Sequence, residues 1–384
     1  MTERLFEQDS YCREFKAVVK EVVPEEDIFR IVLDRTAFFP EGGGQSADSG
    51  TLNDLQVLDV QEQDGQIYHM VNKPLETGAE VYGAINWPKR YVKMQQHSGE
   101  HIVSGLVQAK FGYNNIGFHL GSESCTMDFD GLLTKEQIKT IEILANEVIY
   151  ENLQIEVLYP NKAELGKLHY RSKIEIEGQI RLVCIPGYDL CACCAPHLNR
   201  TGEIGLIKLI GLQNYKGGVR VTMVCGRRAL ADYERKEESV KEISAALSAK
   251  EEAVSEAVDR LKQENESLKQ NLYKQQMILV NYKAKVIDAD NQVICCFESE
   301  LDGEAPRELV NRLVKKGARL CAVFFYAADG GYRYVLGGSQ DDVRPVGRKL
   351  DERFQGRGGG SPQMVQGMVK GEKEDICRFF DEYR

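Results

Sequence analysis

Over the first 86 residues, apolar and polar positions alternate in short runs. Residues 17–23, 28–33, 55–60, 67–71 and 79–85 show this pattern, separated by Asp-Gly, Thr-Gly and Pro-Glu pairs. The alternation predicts a small β-barrel-like domain over 1–86. The period then changes. In 91–106, YVKMQQHSGEHIVSGL, the residues Met94, His97, His101, Val103 and Leu106 fall at helical spacing with no proline among them. A hairpin is expected over 117–130, GFHLGSESCTMDFD. A helix follows over 134–152, with Ile138, Ile141, Leu144 and Val148 on one side. Residues 87–228 therefore form an α+β region.

From 229 to 284 glycine and proline nearly vanish. Val240, Leu247, Val254, Leu261 and Leu268 repeat every seventh residue, and Val258, Asn265, Leu272 and Leu279 supply a second position. This spacing suits a coiled-coil seam between two copies of the chain, in which a lone Asn fixes register. A long amphipathic helix packed on its own chain fits the same pattern. Ser244 and Glu251 interrupt the second position and shorten the seam. Residues 285–384 alternate strand-like and helix-like runs, with a hairpin signal at Asp329-Gly330-Gly331, and predict an α/β domain. The fold class is α+β throughout.

Composition narrows the function. A 384-residue chain with 42% hydrophobic and 28% charged residues has room for two or three cored domains. The first twenty residues are charged throughout, and no apolar run reaches membrane-spanning length, so a cytoplasmic protein is expected. Eleven irregularly spaced cysteines argue against a secreted disulfide framework. The net charge of −10 disfavours general coating of nucleic acid but permits a local basic surface. The region 87–228 ends in a strand-like run followed by the basic residues Arg227 and Arg228.

Chemistry concentrates in two short motifs. His97 and His101 are four apart on one helix, so both imidazoles leave the same face. Ninety residues on, Cys193 and His197 are again four apart, in DLCACCAPHLNRTGEIG. Together they predict a tetrahedral Zn2+ site of three nitrogens and one sulfur. His119 lies between the motifs and reads as a structural histidine. His69 and His169 have no supporting neighbours in sequence. Two glycine-rich stretches are ambiguous. TAFFPEGGGQSADSG, with Gly42, Gly43 and Gly44, is either a substrate-binding loop or a tight loop with nothing bound. GRGGGSPQMVQG, beside Arg353 and Arg357 and containing Gly358 and Gly359, suits an RNA-backbone contact or a packing turn.

Taken in order, FFPEGGGQSADSG, QQHSGEHIVSGL, CCAPHLNRTGEIG and GRGGGSPQMVQG resemble the motifs of the long, free-standing AlaX-type alanyl-tRNA editing proteins. The last is similar to the DHH-associated C-terminal domain shared with alanyl-tRNA synthetase. The chain departs from the usual C-G-G-T-H with Cys193-Cys194-Ala195-Pro196-His197, and has Val365 and Met368 where the closing motif often carries Ala and Gly. The resemblance divides the chain into a glycine-rich β domain (1–86), a zinc-binding editing domain (87–228), a helical coiled-coil segment (229–284) and a C-terminal domain (285–384).

What the resemblance implies is hydrolysis of the ester joining serine or glycine to the terminal adenosine of alanine tRNA. Nothing resembles an ATP-dependent aminoacylation domain. Thr36, favoured by the resemblance, or Gln45 would read the serine hydroxyl, which an apolar pocket rejects poorly. Glu100 is a candidate general base, and a solvated helix-face carboxylate is the alternative. Two other readings stand: editing of a different tRNA such as threonine tRNA, and a zinc-stabilised tRNA-binding or dimerisation protein without catalysis.

Overall fold

A computed structural model describes residues 2–172, 180–290, 292–327, 330–339 and 342–384. The chain is mixed α and β and divides into two compact units, residues 1–241 and 242–384. Among the described residues no helix is long and apolar enough to cross a membrane.

In the first unit six strands close into a barrel, in the order Glu14–Glu25, Ile28–Leu33, Gln66–Val71, Leu55–Gln63, Gly50–Leu52 and Glu80–Ile85, every neighbour antiparallel. Alternation does the sorting. Phe15, Ala17 and Val19 turn inward beside Ile31, Val60 and Ile67, while the residues between them face out.

The barrel leads directly into the helix Trp87–Phe111. Asn86 caps it by accepting from the Lys89 amide, Pro88 occupies the first turn, and Gly112 ends it in the left-handed region at φ 73°. Every residue from Met94 to Val107 is buried. This is a central helix surrounded by protein rather than a surface helix with one apolar stripe. Around it stand the helix Lys135–Glu151, capped by a Thr134–Gln137 box, and a four-stranded sheet in the order Ile207–Tyr215, Gly218–Cys225, Cys125–Phe129, Asn115–Leu120. A smaller sheet of Glu156–Leu158, Leu182–Ile185 and Asp189–Ala192 carries the cysteine motif.

Helix Arg227–Leu247 stops short of the long helical segment expected. Ser248 has φ 49°, a 3-10 turn spans Glu251–Ala253, and a second helix runs Val254–Val286. The Ser244 hydroxyl donates to the Ala249 carbonyl at 2.6 Å, competing with the helical ladder. The break falls between Leu247 and Val254, so the seven-residue repeat does not run through one helix. Leu261, Leu268 and Leu272 are exposed on the second helix.

The second unit has a five-stranded sheet in the order Val293–Glu298, Leu320–Tyr326, Tyr332–Gly338, Met364–Val369, Arg357–Ser361. Its first pair is parallel and the others antiparallel. Helices Ala305–Lys315, Arg344–Arg353 and Lys373–Asp381 accompany it. The last was not expected from the sequence. Asp329 of the expected hairpin lies outside the described residues, though Tyr326 pairs with Tyr332 on either side of it. The stretch 357–361 is an exposed edge strand, where a turn was one expectation.

Candidate metal centre and glycine-rich loop

The two motifs meet. One ligand atom from each of His97, His101, Cys193 and His197 lies within 4.8 Å of the others, and all three histidines are buried. The Cys193 Sγ is 3.5 Å from His97 Nε2. Bonds of about 2.0 Å to nitrogen and 2.3 Å to sulfur place neighbouring corners of a tetrahedron roughly 3.5 Å apart, so the spacing suits a zinc-sized ion. The three imidazole centroids stand 4.7 to 5.5 Å apart.

Each histidine is held by its Nδ1, which leaves the Nε2 edge turned to the cluster. His97 Nδ1 donates to Gln45 Oε1 at 2.9 Å, His101 Nδ1 to Asp189 Oδ2 at 2.7 Å, and His197 Nδ1 to the Ala195 carbonyl at 2.7 Å. His197 Nε2 is buried with no hydrogen-bond partner. Three oriented imidazoles, a converging thiol and an orphaned ring nitrogen fit a cation. Burial first, then the charges of His101 and His97, holds the His197 imidazole well below its ordinary pKa, in the neutral form a metal requires.

Asp189 belongs behind the ligands. Its carboxylate is gripped by Arg171, Nε to Oδ1 at 2.6 Å and Nη2 to Oδ2 at 2.8 Å, leaving a carboxylate–histidine–metal chain through His101. Burial pushes the Asp189 carboxyl up, but hydrogen bonds from His101 and Arg171 outweigh it and hold the pKa below the usual value. Ala195 offers its carbonyl to His197, and Arg181 Nη1 binds the carbonyls of Cys193 and Ala195 at 2.7 and 3.2 Å.

The glycine-rich loop is bolted to the histidine helix. Arg90, fully buried, binds Asp48 through Nε at 2.8 Å and again through Nη2, which also reaches the Ala37 carbonyl at 2.6 Å; its Nη1 reaches the Ser10 carbonyl at 3.1 Å. Asp48 also accepts from the Phe39 amide at 2.8 Å. Lys93 Nζ caps the Ser46 and Ala47 carbonyls. Gly42 and Gln45 exchange backbone hydrogen bonds, and Gly44 (φ 81°) lies so close to Phe118 that a Cβ would sit 2.3 Å from its carbonyl oxygen.

Gln45 thus orients His97. Its Nε2 is buried and unpaired. Glu100 is no solvated face: it is buried, Oε1 accepts from Ser104 at 2.8 Å and Asn115 at 2.5 Å, and Oε2 is 3.9 Å from His101 Nε2. Thr36 is fully buried on the short strand Arg35–Thr36, which pairs with Glu3–Arg4 and is not one of the barrel strands. The Phe38 amide donates to Thr36 at 3.1 Å, and the Thr36 hydroxyl stands 2.8 Å from His69 Nε2. His69 Nδ1 donates to the Ile31 carbonyl at 3.0 Å, so Nε2 accepts the Thr36 proton. His69, which has no supporting neighbours in sequence, is the partner of Thr36. His119 is exposed beside the loop, not a structural histidine held in the core. Arg353 pairs with Glu382 at 2.7 Å, and Arg357, Gly358 and Gly359 lie on the exposed edge strand of the second unit.

Sequence reasoning missed Asp189, Arg171, Arg90 and Asp48. Asp189 was the one with a signal: a carboxylate four residues before the ligand Cys193.

Residues 6–89 match the family model "tRNA synthetases class II (A)", and residues 180–241 match "Threonyl and Alanyl tRNA synthetase second additional domain". At the level of whole chains, the alanyl-tRNA editing protein Aarsd1 of Rattus norvegicus is 29% identical over 94% of this chain and 93% of its own length. Alanine–tRNA ligases of Ignicoccus hospitalis and Pyrobaculum neutrophilum are 34% and 32% identical, over 75% and 98% of this chain. The match covers only 33% and 43% of those ligases. The chain carries alanyl-tRNA synthetase-type editing domains and is homologous to Aarsd1.

Proposed function

We propose that the protein is a trans-acting hydrolase that deacylates mischarged alanine tRNA, with seryl and glycyl esters as its substrates, at a zinc centre held by His97, His101, Cys193 and His197. The observation that carries this reading is the convergence of those four side chains beside a loop whose Gln45 reaches into the cluster. Zinc, when bound, supplies Lewis acidity toward the ester carbonyl or a water.

The chain's own residues do the rest. Gln45 Nε2, buried and unpaired, donates to the ester oxygen as charge develops there. Glu100, buried with Oε2 3.9 Å from His101 Nε2, takes the proton of the attacking water. Thr36 gives its proton to His69 and accepts one from Phe38, which leaves oxygen lone-pair capacity for a serine hydroxyl. Gly42, Gly43 and Gly44 let the loop backbone approach the aminoacyl end. Arg353, Arg357, Gly358 and Gly359 contact the tRNA backbone, and the exposed leucines of helix Val254–Val286 support a homodimer.

A closed four-residue set also favours a purely structural zinc. One experiment separates the readings. Seryl-, glycyl- and alanyl-tRNA are incubated with the protein, with and without a chelator. The editing reading expects release of serine or glycine in preference to alanine, lost with the metal. Retained folding and RNA binding without any deacylation would favour the structural one.

A further inference from the structure

A cavity of about 820 Å³ borders the glycine-rich loop, wholly within the first unit and lined by none of the four metal-site residues. Its volume falls in the range of pockets that bury small ligands. One wall is basic: Lys89 and Lys93 from the histidine helix, Arg227 and Arg228 from the start of the helix Arg227–Leu247, and His119 from the sheet. The other carries Ser46, Ser49, Glu41 and Asp59.

Arg228 Nη1 and Ser49 Oγ are closed off from solvent, so the cavity is lined by the accessible remainder of the half-buried Arg228 side chain, beside the exposed Arg227 and Lys89. The acids offset the basic wall only in part: with Asp48 paired to Arg90, Glu41 and Asp59 stand against Lys89, Lys93, Arg227 and Arg228. Asp48 is consumed by Arg90 and the Phe39 amide, and Glu41 and Asp59 share the Gln61 amide at 3.1 and 2.8 Å. Lys93 is spent on the loop carbonyls. That leaves Lys89, Arg227 and Arg228 for an anion.

Position identifies the anion. Lys93 and His97 are one helical turn apart, about 6 Å along the axis. The loop that walls the cavity with Ser46 and Ser49 also sends Gln45 to His97. A chain whose last residue is at the metal cluster has its preceding linkages at the distance of this cavity.

We propose that the cavity binds phosphodiesters of the substrate's single-stranded 3′ end, Lys89, Arg227 and Arg228 contacting the phosphates and so delivering the ester to the metal cluster. This rests on the deacylase reading above. Phosphate contacts of this kind fix register without reading sequence.

The test uses the full, metal-loaded chain and a fluorescein-labelled single-stranded RNA with the tRNA 3′-terminal sequence, alongside the same strand with a neutral methylphosphonate backbone. Arg228→Gln and the exposed pair Lys89→Glu with Arg227→Glu are compared with Arg228→Lys. Affinity for the charged strand should fall roughly tenfold or more in the first two, and the log–log salt slope should shrink by about 0.7 for each phosphate no longer neutralised. Arg228→Lys should retain most of the binding. The neutral strand should bind weakly to all forms alike. Unchanged affinity in both variants, or an equal loss on the neutral strand, overturns the proposal. Deacylation of mischarged tRNA by the parent protein is followed in parallel. Activity without sensitivity to these residues sinks the role of the cavity and spares the deacylase reading; charge-dependent strand binding without activity does the reverse.

Discussion

Two stretches of this chain look alike on paper, EGGGQ at 41–45 and RGGGS at 357–361, and the fold uses them in opposite ways. The first is a loop clamped by Arg90, Asp48 and Lys93, with Gln45 buried and Gly44 in the left-handed region hard against Phe118. The second is an extended strand at a sheet edge, exposed along its length, where a Cβ on Gly359 would meet nothing within 4 Å. Glycine content alone is therefore uninformative. What distinguishes a site from a strand is the set of side chains elsewhere in the sequence that hold the backbone down.

The comparison is most severely challenged at the metal. His101→Ala or Cys193→Ala should abolish stoichiometric zinc by elemental analysis and cut deacylation at least a hundredfold, beyond the 10–100-fold typical of outer-shell changes. Full metal content in both variants would remove the ligand assignment. Next comes the clamp. Asp48→Ala strands the Arg90 guanidinium in the interior, and a loss of about 3–5 kcal/mol in denaturant unfolding is expected; a change under about 1 kcal/mol would mean that the loop is not held as described.

Titration probes the start of the same loop. Burial pushes the His69 imidazole down to about 4. A depressed folded-state value means that the contribution is whole above the ordinary pKa of about 6.5 and fades as pH falls toward 4, by roughly 3 kcal/mol. Unfolding midpoints of the protein and of His69→Gln, measured from pH 7 to 4.5, should converge as the pH drops. Parallel curves would show that His69 is not buried neutral. The smallest effects compare the glycines directly. Gly44→Ala should cost about 2 kcal/mol or more, from its positive φ and the close carbonyl, whereas Gly359→Ala should stay within about 0.5 kcal/mol. Equal melting shifts would erase the distinction.

Much of this was legible in the sequence because period and spacing are local. Alternation located the barrel strands, and four-residue spacing put His97 with His101 and Cys193 with His197. Gln45 was named only as a reader of the serine hydroxyl, and the ion pairs behind the site were not legible. Nothing near Arg90 points to Asp48, 42 residues away, or near Arg171 to Asp189, because buried ion pairs are set by tertiary packing. The same limit hid His69 behind Thr36. Glu100 could be taken for a solvated residue only because the helix was assumed to have an outside, and this one is enclosed on every side over Met94 to Val107. The seven-residue repeat misled at Ser248, where a side-chain hydroxyl and a positive φ end the helix.

The Arg90 guanidinium touches Ser10, Ala37 and Asp48 while standing seven residues before the first histidine of the metal site. The barrel and the helix are consequently not separable cassettes. A chimaera joined at residue 86 would need a recipient that supplies the matching carboxylate and both carbonyls, or it would inherit an uncompensated charge in an apolar interior. Evolutionary exchange or laboratory grafting of this region has to carry the whole stretch from Ser10 to His101 as one piece.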